Sequence, residues 1–237
     1  MQSLARTRPS RLSFVLLSSL LLGACASTGK PSGVQKAEAT VGTVERLSDQ
    51  LGQLATQLDA TSAALGGLRE SVGAKGLFNR AVEAKSDIPA AFGQYRKALE
   101  AVRTTAKKVA STDADLSGDM NAYLETWEQN MAEVQNVKLR EASMKRRTSA
   151  QERYQKVTEE FGGLWKAFEG HLTQLNEIEV ALGSDLTPAG VAAIDDTLGD
   201  TQKQSDSVKK GLGKASEILG GFADALRANA PQPAAAP

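Results

Sequence analysis

"VAAIDDTLGDTQKQSDSVKKGLGKASEILGGFADAL", residues 191–226, decides the fold. Its apolar residues fall at Val191, Ile194, Leu198, Val208, Leu212, Ala215, Leu219, Phe222 and Leu226, and Thr201 and Ser205 fill the two remaining places. The steps alternate between three and four residues, the spacing that puts side chains on one stripe of an α-helix. Such a run with no slip of phase predicts a long helix whose stripe packs against neighbours. Its start is written in "SDLTPAG", residues 184–190. Thr187 is placed to cap the first turn, and Pro188 sits where a missing N–H costs nothing.

The same spacing recurs upstream three times. One run reads Tyr154, Val157, Phe161, Leu164, Phe168, Leu172, Leu175, Ile178, Leu182 and stops at Gly183, a residue type common just past a helix end. Another reads Ile88, Phe92, Tyr95, Leu99, Val102, Ala106, Val109, Asp113, Leu116, Met120, Tyr123, Trp127. Within it "STDADLSGD", residues 111–119, has the composition of a loop. The heptad keeps its phase through that stretch, so one helix is expected, with a weak point where it opens locally and Asp113 reaches water. The first run is Val44, Leu47, Leu51, Leu54, Leu58, Thr61, Leu65, Leu68, Val72.

No segment alternates with period two, so no strand is expected. The prediction is all-α: an elongated antiparallel bundle of about four long helices with coiled-coil character and disordered tails. Helices of roughly 33 to 47 residues would run about 50 to 70 Å. Breaks are expected in residues 73–88, which hold Gly73 and Gly76 and precede Pro89, and again at Asn136–Val137. The polar stretch "KLREASMKRRTSAQER", residues 138–153, shows no clear seam. A turn near Asp185 would set Thr201 and Ser205 opposite Phe168 and Trp165. Phe161, Trp165, Phe168, Tyr123 and Trp127 then read as core, large residues packed against small.

The two ends speak of location. Arg6, Arg8 and Arg11 precede an apolar run, Leu12 to Leu22, that is interrupted only by serines. It falls well short of the roughly 20 residues that span a bilayer, and a basic leader before a short apolar core reads as a signal peptide. "LGAC", Leu22 to Cys25, resembles a bacterial lipobox and holds the one cysteine of the chain. The resemblance implies a lipoprotein acylated at Cys25, and Ala26 after it implies the outer membrane, facing the periplasm. Several acyl chains anchor stably where one does not. The expected organisation is a signal peptide over 1–24, lipidated cysteine and flexible tether over 25–39, bundle over 40–228, and an Ala/Pro-rich disordered tail over 229–237. Losing three arginines from a balanced 28 basic and 28 acidic residues leaves a net charge of about −3, which gives no field to gather nucleic acid.

"YLETWEQNMAEVQNVKLREASMKRR", residues 123–147, and "ALGSDLTPAGVAAI", residues 181–194, resemble a family of uncharacterised bacterial proteins that are exported, helical and often lipid-anchored. Here Val137 stands where the family pattern often has proline. The resemblance implies a helical fold and no activity.

Constellations that carry chemistry are scarce. His171 is the one histidine, and Glu169 and Glu177 lie at spacings that share no helix face with it. It reads as an exposed or boundary residue, and no catalytic, cofactor or metal residue is assigned. "GLGKAS", residues 211–216, echoes a P-loop ending without the strand or first glycine it needs. The densest charge is Arg140, Lys145, Arg146, Arg147 and Arg153, a solvated face or a docking patch for acidic partners or anionic lipid. On the solvated reading, reversing Arg146 and Arg147 leaves stability nearly unchanged. The expectation is a non-enzymatic envelope scaffold, spacer or adaptor, held to the membrane by its lipid, working through an envelope protein partner and leaving oligomerisation open. The alternative is a helical module that binds a lipid surface.

Overall fold

A computed structural model describes residues 33–72 and 87–229. Cys25, the leader, residues 25–32 of the tether, the 73–86 join and residues 230–237 of the tail lie outside these. Among the described residues every element is helical: α1 (Gly33–Ser71), α2 (Ile88–Ala132), α3 (Val137–Ser184), α4 (Pro188–Ala193) and α5 (Asp195–Asn229). At about 1.5 Å per residue, the 45 residues of α2 and the 48 of α3 make them the longest.

Three helices begin at side-chain caps. Asp87 accepts the Ala90 N–H at 3.2 Å, Asn136 the Leu139 N–H at 3.2 Å, and Thr187 the Gly190 N–H at 3.1 Å. Each cap satisfies an N–H that the first helical turn leaves without a partner, at about 1 kcal/mol apiece. The break expected at Asn136 is thus a capped restart three residues after the Glu133 end of α2.

The long helices form a ring in which α1 packs on α2 and α5, and α3 closes it by packing on α5 and α2. Each neighbour runs antiparallel to the next. Thr43 meets Asp119 across α1–α2, Tyr95 meets Leu175 and Trp127 meets Ser143 across α2–α3, Lys214 meets Glu160 across α3–α5, and Ser48 meets Ser216 while Arg69 meets Asp195 across α1–α5. The seams predicted from the heptads line the interior: Leu51, Leu54, Leu58, Tyr95, Leu99, Val102, Phe168, Leu175 and Leu198 are fully buried. Burying a leucine fully is worth about 1.5–3 kcal/mol, so this shared core holds the bundle.

The structure differs from the sequence reading in four places. Helix α1 begins at Gly33, inside the stretch expected as tether, because Ala37 and Val41 are small enough to pack in the bundle and are buried. Helix α2 does not open at Asp113; it is continuous, and Asp113 stays half-buried. The last helix is two, since Ile194 interrupts it with its N–H turned back to Val191 O at 3.2 Å. Asp195 and Asp196 then open α5 where the helix dipole favours acids, and Asp195 is held by Arg69 at 2.7 Å. Ser205 lies against His171 rather than beside Trp165. Finally, residues 138–153 do carry a seam, made of Ser143 and Ala150, which are buried although small.

Candidate functional site

The basic cluster is dispersed by the helix that carries it. Arg140, Lys145 and Arg153 of α3 are exposed. Arg147 turns instead toward α2, with 19 % of its side chain exposed, pairs with Glu128 at 2.9 Å and donates to Leu124 O at 3.2 Å. One residue earlier, the Arg146 guanidinium lies 5.9 Å from the centroid of the Trp127 ring, near enough for a cation–π attraction. The Trp127 indole N–H donates to Ser143 at 2.8 Å. Arg147 is therefore part of the α2–α3 contact, which corrects its assignment to a solvated face, while Arg146 stays exposed beside the Trp127 ring. The small seam residues Ser143 and Ala150 draw α3 close, and the arginines flank the contact they make. Tyr123 lies below this contact, and burial pushes its phenol up to about 12 despite Arg146 nearby. Gly33, Tyr123, Trp127, Asn130, Met131, Ser143 and Arg146 line a small cleft there of about 110 Å³.

Further along the same helix pair, Arg103 and Arg96 of α2 hold Glu179 of α3 at 2.5 and 3.1 Å, and Arg103 also donates to Asn176. Burial pushes the Glu179 carboxyl up, but these two guanidinium groups outweigh it and hold the group below its ordinary value. Beneath them Tyr95 is fully buried and its hydroxyl donates to Leu175 O at 2.5 Å.

The centre of the bundle is polar on the α3–α5 seam. His171 is 0 % exposed, which corrects its reading as a surface or boundary residue. The physical reason is phase: from Phe168 the seam steps to His171 and on to Leu175, and Leu172 is left half-buried at the edge. The Nε2 of His171 shares a hydrogen bond of 2.8 Å with the hydroxyl of Ser205, itself fully buried. Among the described residues its Nδ1 is buried with no partner, as are Oε1 of Gln50 and Gln57 on α1. Burial lowers the His171 pKa, with the Gln204 side chain acting the other way. The spacing of 168, 171 and 175 was the signal for this residue, masked by the apolar Leu172 beside it.

On the outer side of the same seam, Gly163, Leu164, Ala167, Ser207, Gly211 and Ala215 line an open groove of about 450 Å³. A Cβ on Gly211 would come within 2.6 Å of Leu164 Cδ1, so the glycine of the P-loop echo serves helix packing. Among the described residues no three His, Cys, Asp or Glu side chains come together as metal ligands. None of the described helices is long and apolar enough to cross a membrane.

Residues 32–218 match the DUF2959 family, described as proteins of unknown function. The chain belongs to that family. The DUF2959 match runs from the start of α1 into α5 and so takes in all the helices that form the ring. No curated protein matches the chain, and no solved structure does.

Proposed function

We propose that this DUF2959 protein is a lipid-anchored, non-enzymatic helical spacer or scaffold of the bacterial outer membrane, facing the periplasm and acting through protein contacts. The observation that carries this reading is the lipobox-like "LGAC" ending at Cys25, only eight residues ahead of Gly33, where α1 begins. A chain that short spans at most about 28 Å, so an acylated Cys25 would hold a long bundle close to its membrane. The test is Cys25→Ser with fatty-acid labelling and membrane fractionation. Loss of label together with loss of membrane association supports the anchor, and an unlabelled wild type that still sediments with membranes overturns it.

A second reading, contact with a lipid surface by the bundle itself, is favoured by Val137 and Leu139, which are 54 % and 63 % exposed at the start of α3 beside Lys138 and Arg140. Flotation of the Cys25→Ser protein with anionic liposomes distinguishes the two: binding supports the surface reading, and its absence leaves the tethered spacer.

A further inference from the structure

His171 occupies a seam position that a leucine would fill without the cost of burying a polar ring. The imidazole adds a proton site that is ordinarily active between pH 5 and 8. Burial favours its neutral form, and the Gln204 side chain only partly offsets that. Nε2 has the Ser205 hydroxyl at 2.8 Å, a group that can either donate or accept, while Nδ1 is buried without a partner among the described residues. A second proton on the ring makes both nitrogens donors and adds a charge. The N–H on Nδ1 has no acceptor in the closed seam among the described residues, so the side chains around it, Gln204 included, must move to supply one.

The charged neighbours do not relieve that charge, because they are engaged with one another. On α2, Arg103 is paired with Glu100 and with Glu179 of α3, and the Tyr95 hydroxyl is committed to a backbone carbonyl. On α5, Lys209 is paired with Asp206 and with Asp59 of α1. On α3 itself Lys166, Glu169 and Glu177 are exposed. Among the described residues no ion pair reaches the ring, and burial is the main influence on it, opposed by the Gln204 side chain.

We propose that His171 is an acid-sensitive latch between α3 and α5: neutral, it closes the seam through Ser205, and protonated it releases it. The sign follows from linkage. A histidine whose native pKa lies below its unfolded value contributes full stability above about pH 6.5. That stability falls as the pH drops below 6.5 and levels off below the native value, by about tenfold in the closed-to-open ratio for each pH unit between them. The latch needs no anchor and no partner, so it stands or falls separately from the proposed location.

The test is hydrogen exchange on the full chain in detergent at pH 7.5 and 5.0, corrected for intrinsic rates, with the wild type, His171→Gln and Asp113→Asn compared. Because the chain has one histidine, its ring signal can be titrated by NMR in the same samples. The expected result is that protection in residues 168–175 and 201–208 is lost in part at pH 5.0, and that α2 amides near Val102 keep theirs. His171→Gln should abolish the difference and Asp113→Asn should keep it. A fall spread evenly over all helices, or one that persists in His171→Gln, overturns the latch. If His171→Gln fails to fold, the wild-type ring decides: titration coincident with loss of seam protection supports the latch, and titration with the seam unmoved rejects it.

Discussion

Arg147 and Asp113 are charged side chains on inward-leaning positions, and they differ in having a partner. Arg147 spends its guanidinium on Glu128 and on the Leu124 carbonyl, so reversing its sign strands both acceptors. Hydrogen bonds to charged groups are worth about 1.5–3 kcal/mol, and Arg147→Glu should lower the unfolding free energy in urea by that order. Lys145→Glu, on an exposed side chain of the same turn, should change it by less than about 0.5 kcal/mol. Asp113 has only burial acting on it, which raises its carboxyl above 3.8. The seam between Val109 and Leu116 runs through buried Thr112, with Asp113 half-buried at its edge. Asp113→Leu therefore replaces a half-buried carboxylate with apolar surface and should stabilise by about 1 kcal/mol at neutral pH. Since the charged form is what burial penalises, the gain should shrink as the pH falls from the raised native value toward 3.8. Urea midpoints at pH 7 and pH 4 check both the size and the sign.

At the scale of the elements, the turn from α3 into α4 is fixed by the absence of one side chain. A Cβ on Gly190 would lie 2.3 Å from the backbone oxygen of Asp185, which cannot swing aside as a side-chain tip can. Gly190→Ala should therefore destabilise, although alanine is the better helix former. Gly213→Ala, with nothing within 4 Å of its Cβ position in α5, should stabilise by about 0.5–1 kcal/mol. Opposite shifts in the thermal midpoints of the two variants are the expected outcome. The same elements show what the sequence could tell. Seams of leucine, valine and aromatic residues were legible because a buried stripe repeats with the turn of the helix. Ser143, Ala150 and Ala37 were not, since small residues look alike in a seam and in a loop. The interruption at Ile194 was hidden because Ile194 itself keeps the heptad phase. His171 was misplaced because a leucine stood next to it, and Arg147 because a run of charge in the sequence says nothing of which way each side chain turns.

Across the bundle the four long helices share one core, so unfolding by denaturant should be a single transition near neutral pH, with far-ultraviolet dichroism and tryptophan fluorescence moving together. Trp127 reports on the α2–α3 contact and Trp165 on the aromatic stack it makes with Phe161 and Phe168 in α3. Two transitions would show that the ring comes apart in halves. The ion pair between Glu45, early in α1, and Arg227, in the last turn of α5, places the two ends of the described bundle side by side. Force applied between those ends meets the α1–α5 seam in peeling rather than in shear. Rows of contact then break one turn at a time instead of together, and the mechanical resistance is that of a zipper, whatever the equilibrium stability. Held by optical tweezers at Gly33 and Arg227, the bundle should yield gradually at low force. Held at Gly33 and Asp195, at opposite ends of the same pair, it should resist until the seam fails at once.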